Sequence, residues 1–213
     1  MRKPASDPPA SRATPGRPRS EPARRAVLRA ARALVEKGGY AAATIDAIAA
    51  RSGVAKTTIY RWWPNRPRLV VDLLVQLAAE AAPPPKGRDP LRALRTELRL
   101  GARSADTILD RLLTSLLGEA QRDPEIRTAL LEGLFYPRRV ASVRAIRLAQ
   151  ESGAIRQDVP PYVAVDLFFG PLFYRMFVRH EPLTEDFMMQ VFHHVMTGIG
   201  AVPPPATRRK RAR

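Results

Sequence analysis

Four side chains that bind nucleic acid well lie close together in the segment 56–61. Lys56, Thr57, Tyr60 and Arg61 follow the spacing of one helical face. Cationic groups and hydroxyls donate hydrogen bonds to phosphate oxygens, and arginine also forms paired hydrogen bonds with guanine. This chemistry suits binding to duplex DNA, in which phosphate contacts position a protein and base contacts specify the sequence.

A short helix precedes this face and must help to position it. In residues 44–52 the apolar Ile45 and Ile48 are three positions apart, and Thr44 stands ahead of them as an N-cap. Gly53 is expected to end the helix, because glycine adopts a positive φ without steric cost. The pattern predicts one short amphipathic helix followed by a tight turn.

A second helix is predicted over residues 55–63. Ala55, Ile59 and Trp63 recur every four residues and are expected to face inward, so that the basic and hydroxyl face points outward. Two short helices joined by a three-residue turn with glycine are typical of a helix-turn-helix that reads the DNA major groove.

The run TIDAIAARSGVAKTTIYRWWPNR, residues 44–66, resembles the DNA-binding motif of tetracycline-repressor-type (TetR family) bacterial transcriptional regulators. The similarity covers roughly residues 22–80. One position differs, because the family usually has serine where this chain has Ala55. A serine hydroxyl would cap the second helix, and its loss costs about 1 kcal/mol of helix stability.

We therefore expect the following contacts with DNA. Phosphates are expected to be bound by the hydroxyl of Thr44, the amino end of its helix and the side chains of Lys56, Tyr60, Trp62 and Arg66. Base edges are expected to be read by Thr57, Thr58 and Arg61. Trp62 would donate through its indole N–H, and Trp63 would lie in the core. For Thr58, local bonding to the backbone is an equal alternative.

The positive charge is concentrated near this motif. The formal net charge is +16; residues 26–78 carry 8 basic and 3 acidic side chains, whereas residues 79–202 carry 16 and 15. Residues 1–25 and 203–213 contribute further excess positive charge. This distribution predicts a protein that meets DNA with one end only.

Other function classes find little support. There is no cysteine, zinc-protease motif, phosphate-binding glycine loop or nucleophile elbow. His180, His193 and His194 are expected to be ordinary surface or interface residues, so neither an enzyme nor a metal or cofactor site is predicted. No apolar run is long enough to span a bilayer. We expect a cytoplasmic, nucleoid-associated protein.

Composition divides the chain into regions. Residues 1–21 are predicted to be a disordered basic arm, 22–82 the DNA-binding domain, 88–202 a helical effector-binding and dimerisation domain, and 203–213 a disordered basic tail. The prolines at 83–85 form a stiff spacer. Each tail could contact DNA or simply be solvated.

The fold class is predicted to be all-α, with about nine helices. Asp89 and Asp123, each followed by proline, are helix starts, and the second of these helices is expected to be long. A shorter helix is expected over about 105–118. Gly170–Pro171 is expected to break the helix over 161–180 early. Apolar and polar residues do not alternate with a period of two over more than four residues, so no sheet is predicted.

The last two helices are apolar on most sides, which favours burial against a second chain. The candidate dimer-interface residues are Leu167, Phe168, Phe177, Val191, Val195 and Ile199. A single large monomeric core is the alternative. By resemblance to the family, the C-terminal domain would hold a small effector, and its near-neutral, Phe- and Met-rich composition suggests that this effector is apolar or amphipathic. The candidate wall residues are Phe135, Tyr136, Phe169, Phe173 and Arg175, with ordinary core packing as the alternative.

The sequence thus predicts a regulator, of the repressor kind, that binds a palindromic operator as a homodimer and is released by an effector. Two other classes remain open. A nonspecific architectural DNA-binding protein would also carry basic tails. A helical interaction protein whose head no longer reads DNA would explain Ala55.

Overall fold

The computed structural model describes residues 21–81 and 89–201, and these are built from helices. They are α1 (Glu21–Ala42), α2 (Ile45–Ser52), α3 (Lys56–Trp62), α4 (Arg66–Ala81), α5 (Pro90–Arg103), α6 (Ile108–Glu119), α7 (Pro124–Leu130), a π-helical turn (Leu131–Phe135), α8 (Tyr136–Glu151), α9 (Pro161–Val178) and α10 (Glu185–Ile199). An isolated bridge joins Ile155 and Gly200, and no strand forms among the described residues. The all-α prediction is confirmed.

Side-chain caps start several helices at the predicted positions. The Thr44 hydroxyl accepts a hydrogen bond from the Ala47 amide at 3.1 Å. Asp89, Asp123 and Thr184 cap α5, α7 and α10 in the same way. These caps satisfy amides that have no partner within the helix, so the boundaries follow from local chemistry.

Glycine ends two elements as predicted. Gly53 closes α2 with φ 69°, and Gly38 and Gly39 leave helical geometry within α1. The break predicted at Gly170–Pro171 was wrong, because α9 continues through Pro171. The buried side chains of Leu172 and Met176 anchor the following turns in the core, which offsets the single hydrogen bond that proline removes.

The run from Pro124 to Glu151 was predicted to be one long helix, and it is continuous. It includes the π-helical turn Leu131–Phe135. Such a turn carries one extra residue and rotates the faces of the helix on either side. Counted as one helix, this run gives nine helices within the described residues.

Two hydrophobic clusters share this long helix. The first joins α1 to α4 with α6, α7 and the π-helical turn, and includes Ile126 and Leu130. The second joins α5, α8, α9 and α10, and includes Ile146 and Phe168. The helices α1 to α4, which we call the head, therefore share their core with residues far along the chain.

Several predicted segments lie outside the described residues. These are the basic arm apart from Glu21, the proline spacer and the basic tail. Within the part of the chain that the structure describes, no helix is both long and apolar enough to cross a membrane.

Candidate nucleic-acid interface and interior cavity

Helix α3 is held against the head by two apolar anchors. Ile59 is fully buried and Trp63 is 5% exposed. The Trp63 indole N–H also donates to the Asp72 carboxylate on α4 at 2.9 Å. Ala55, predicted to face inward, is exposed instead, because it lies at the N-cap before the helix begins. The inward side of α3 is therefore Ile59 and Trp63.

The opposite face of α3 is open to solvent. Lys56, Thr57, Tyr60 and Arg61 are all exposed, Tyr60 by 49%. Thr58 lies at the edge of this face and is half-buried. The structure thus brings the predicted hydroxyl and basic groups onto one accessible surface, which we call the reading face.

Thr44 lies at the start of α2. Its hydroxyl oxygen accepts from the Ala47 amide, and its hydrogen is left to donate. Capping and a phosphate contact are therefore compatible.

The Lys56 ammonium is paired with the Asp46 carboxylate of α2. The hydrogen bond from this pair raises the pKa of Lys56, which keeps it cationic. Both side chains are more than half exposed, so the pair is screened by water. A phosphate would compete with Asp46 for the ammonium group.

Two of the predicted phosphate contacts are corrected by the structure. The Trp62 Nε1 atom is buried without a hydrogen-bond partner among the described residues, and the ring packs edge-on against Trp63. The Arg66 guanidinium donates to the Tyr40 carbonyl and stacks 3.7 Å from the centre of the Tyr40 ring. Both side chains thus contact the head in this conformation: the Trp62 donor is buried, and the Arg66 guanidinium is engaged with Tyr40.

Asp72 connects three helices of the head. Besides the Trp63 indole, its carboxylate accepts a hydrogen bond from the Arg24 guanidinium at 2.5 Å. Helix α4 therefore fixes both α1 and the end of α3.

A cavity of about 510 Å³, open to solvent on one side, lies between α5, α6, the π-helical turn, α8 and α9. Four of the five predicted wall residues line it: Phe135, Tyr136, Phe169 and Phe173. The other lining residues are Glu97, Leu113, Leu131, Leu134, Arg138, Arg139, Ser142, Val165, Asp166 and Gly170. This volume is in the range of small-molecule sites in proteins.

Arg175, the fifth predicted residue, does not line the cavity. Its guanidinium donates to the Pro182 carbonyl at 2.6 Å and to Glu181 at 2.7 Å, and lies 3.4 Å from the centre of the Phe187 ring. These contacts tie the loop before α10 to α9.

Glu97 is a cavity residue that the sequence did not reveal. It is half-buried on α5, and the Ser142 hydroxyl of α8 lies 3.4 Å from its carboxylate. Burial raises the pKa of Glu97, and the positive charge of Arg138 opposes that shift. No local pattern reveals this residue, because Glu97 and Ser142 are 45 residues apart in the sequence.

The cavity wall touches α4 directly. Gly133, in the π-helical turn, lies so close to α4 that a Cβ placed on it would be 2.6 Å from Cγ1 of Val71. The neighbouring Glu132 forms an ion pair with Arg68 of α4. Val71 and Asp72 are adjacent, so α4 contacts the π-helical turn of the cavity wall and the Trp63 indole through two consecutive residues.

One side of α9 presents apolar side chains to solvent in the single chain. Tyr162, Val163, Leu167, Tyr174, Phe177 and Val178 are between 37% and 59% exposed. Of the predicted interface residues, Val191 and Val195 are half-buried. Phe168 and Ile199 are corrected, because both are buried in the core of their own chain; Phe168 stacks on Phe192 with ring centres 5.3 Å apart.

Two family descriptions match this chain. "Bacterial regulatory proteins, tetR family" matches residues 27–73, and "Tetracyclin repressor-like, C-terminal domain" matches residues 84–195. The second match alone spans more than half of the chain.

Individual proteins are similar over most of their length. YdeS of Bacillus subtilis, an uncharacterized HTH-type transcriptional regulator, is 28% identical over 87% of this chain and 94% of its own. The HTH-type transcriptional repressor KstR of Rhodococcus jostii is 29% identical over 76% of this chain and 63% of its own. The crystal structure of the TetR family transcription regulator SCO0332 superposes with a TM-score of 0.71 at 32% identity, covering 86% of this chain and all of that one.

Proposed function

Since the chain belongs to the TetR family of bacterial transcriptional regulators, we propose that it represses transcription by binding a palindromic operator as a homodimer that a small effector releases. Members of this family are DNA-binding regulators and not enzymes, in agreement with the sequence prediction. The similarity to the repressor KstR supports repression as the outcome.

The reading face of α3 is the observation that carries this proposal. Lys56 and Tyr60 bind phosphates, and Thr57 and Arg61 read base edges, with Thr58 at the margin and Thr44 gripping the strand beside them. All of these groups are accessible, or compatible with a contact, while Ile59 and Trp63 fix the helix from behind. Trp62 and Arg66 support the head instead of touching DNA.

A homodimer accounts for the apolar side of α9. Leu167 and Phe177 expose large hydrophobic surface in the single chain, and burying such surface stabilises an association. Val191 and Val195 of α10 are half-buried against the core of their own chain, and their remaining exposed surface would add to the interface. A twofold axis would place two reading faces about 34 Å apart, one helical turn of DNA, on a palindromic site.

The contact between the π-helical turn and α4 supports release by an effector. A molecule that enters the cavity would displace the π-helical turn in its wall. In that turn Gly133 lies against Val71 of α4, and Glu132 forms an ion pair with Arg68 of α4. Because Asp72 holds Trp63, movement of α4 moves α3. A small change in the separation of two reading faces lowers affinity, since groove spacing is fixed.

We retain the division into a DNA-binding part, residues 22–82, and an effector and dimerisation part, residues 88–202, as part of this proposal. The proposed function implies that the protein acts on chromosomal DNA in the nucleoid.

Fluorescence anisotropy with the intergenic DNA beside the protein's own gene tests the proposal. Specific binding predicts a preference for that fragment over random competitor that persists at two salt concentrations. Equal affinity for both would instead favour the architectural alternative. A complete lack of DNA binding would favour the helical interaction protein.

A further inference from the structure

Resting on the proposed function, we propose that the effector is a lipophilic cation whose ammonium group is bound by Glu97 and by the aromatic rings of the cavity. This names a ligand class for the site, and three features of the cavity carry it.

The first feature is a carboxylate without a direct ion-pair partner, since Arg138 acts on it only from beyond contact distance. Among the described residues no basic side chain comes within 4.0 Å of Glu97, and its side-chain hydrogen bond, from Ser142, is long at 3.4 Å. A half-buried carboxylate in an apolar cavity is poorly solvated, and a bound cation compensates for this.

The second feature is the aromatic lining. Phe135, Tyr136, Phe169 and Phe173 all face the cavity, and the rings of Phe135 and Phe173 lie 5.9 Å apart at 46°. The faces of aromatic rings attract cations, and quaternary ammonium ligands are recognised by such rings. Rings together with one carboxylate are therefore suited to an organic ammonium ion.

The third feature is the balance of the other charged groups. The Arg139 guanidinium is bound by Asp166 of α9 at 2.5 Å and 3.2 Å, so this pair is neutral. Arg138 also lines the cavity and its charge reaches Glu97, but its side chain is exposed and forms no ion pair with that carboxylate, so water weakens the interaction. An anionic ligand would bring a second negative charge next to Glu97, which disfavours fatty acids.

The remaining wall defines the rest of the ligand. Leu113, Leu131, Leu134 and Val165 supply apolar surface. A cavity of about 510 Å³ accommodates an ammonium head with an alkyl or aryl tail.

Calorimetric titration of the full chain with three ten-carbon probes tests the inference: decyltrimethylammonium, decanol and decanoate, each below its aggregation concentration. We expect decyltrimethylammonium to bind the tightest. Glu97→Gln should weaken its binding at least about tenfold and leave decanol nearly unchanged. Glu151→Gln, an exposed carboxylate at the end of α8, is the control and should have no effect.

The inference is overturned if none of the probes binds, if decanol or decanoate binds as tightly as the ammonium probe, or if Glu97→Gln leaves ammonium binding unchanged. Operator binding by the parent protein without probe is measured separately. Loss of operator preference in that assay refutes the proposed function, whereas the three calorimetric outcomes refute only the ligand class.

Discussion

Gly133 and Val71 approach so closely that the π-helical turn and α4 meet without space for a methyl group between them: a Cβ on Gly133 would lie 2.6 Å from Cγ1 of Val71. Since Val71 is 2% exposed, it has little room to move. The cavity wall and the helix that holds the reading face are therefore in direct contact.

Gly133→Ala is expected to lower the free energy of unfolding by about 1–3 kcal/mol, because the added methyl overpacks this contact. DNA affinity should fall as well, since a displaced Val71 moves its neighbour Asp72. Urea unfolding and anisotropy measure the two effects. Gly118→Ala, where a Cβ would meet nothing within 4 Å, is the control and should lose no stability. In a double-mutant cycle with Val71→Ala, the two losses should be less than additive, and full additivity would contradict the steric account.

Asp46→Asn is expected to tighten binding to every DNA sequence several-fold at low salt. The substitution removes an anion from the DNA-facing surface and frees Lys56 for a phosphate. The slope of log K against log salt should become steeper by about 0.9 for one additional phosphate contact. Asp186→Asn, in the first turn of α10, is the control, because it changes the net charge by the same amount at a site away from α3. An equal gain in that control would assign the effect to net charge alone.

Tyr60→Phe and Thr57→Ala separate positioning from reading. Loss of the Tyr60 hydroxyl removes a phosphate hydrogen bond, so affinity should fall by about tenfold on all operators alike. Thr57→Ala should instead change the ranking of operators that differ at one base pair. Anisotropy on a panel of such operators measures both. The same loss for both variants on every operator would contradict this division.

Phe177→Glu and Leu167→Glu are expected to convert the proposed homodimer to a monomer in sedimentation experiments at micromolar concentration. A carboxylate in the middle of an apolar interface loses its hydration without gaining a partner. Operator affinity should fall with the loss of the second reading face. Val75→Glu replaces a partly exposed apolar residue on α4 and should leave the oligomeric state unchanged. Dimers of all three variants would place the interface elsewhere.

Glu97 is expected to make stability depend on pH. Burial raises its pKa above that in the unfolded chain, so the native state binds the proton more tightly. The stability from this residue is fully present below the ordinary carboxyl pKa and is lost as pH rises through the raised value. Glu97→Gln cannot ionise, so its stability relative to the parent should increase across that window. Urea unfolding from about pH 4 to pH 8 measures the free energy of unfolding of the parent, of Glu97→Gln and of the exposed reference Glu151→Gln. If the free energies of parent and Glu97→Gln change with pH in parallel, Glu97 does not contribute to the pH dependence.

Features set by local chemistry could be predicted from the sequence. Thr44, Asp89 and Asp123 start helices where expected, because a cap needs only its own side chain and the next few amides. The apolar spacing of α3 likewise identified its outward basic and hydroxyl residues. Four aromatic residues of the cavity wall could be expected from the Phe-rich composition of the C-terminal region together with the family resemblance.

Features set by distant packing could not be predicted. Trp62 and Arg66 lie where an outward donor was expected, but tertiary contacts with Trp63 and Tyr40 bury their polar groups. Phe168 was predicted to be an interface residue, but it is buried in its own chain, where its ring stacks on that of Phe192. Glu97 enters the cavity only because α5 packs on α8, a juxtaposition that no local pattern encodes.

The long helix with the π-helical turn has a consequence for how such regulators can be recombined. Ile126, Ala129 and Leu130 complete the hydrophobic cluster of the head, although they lie beyond residue 120. A head cut out after Ala81 would leave that cluster open to water. A chimera that joins this head to another effector-binding domain would therefore need to keep the part of the long helix that contains these residues. Exchanging α1 to α4 alone would not preserve the core of the head.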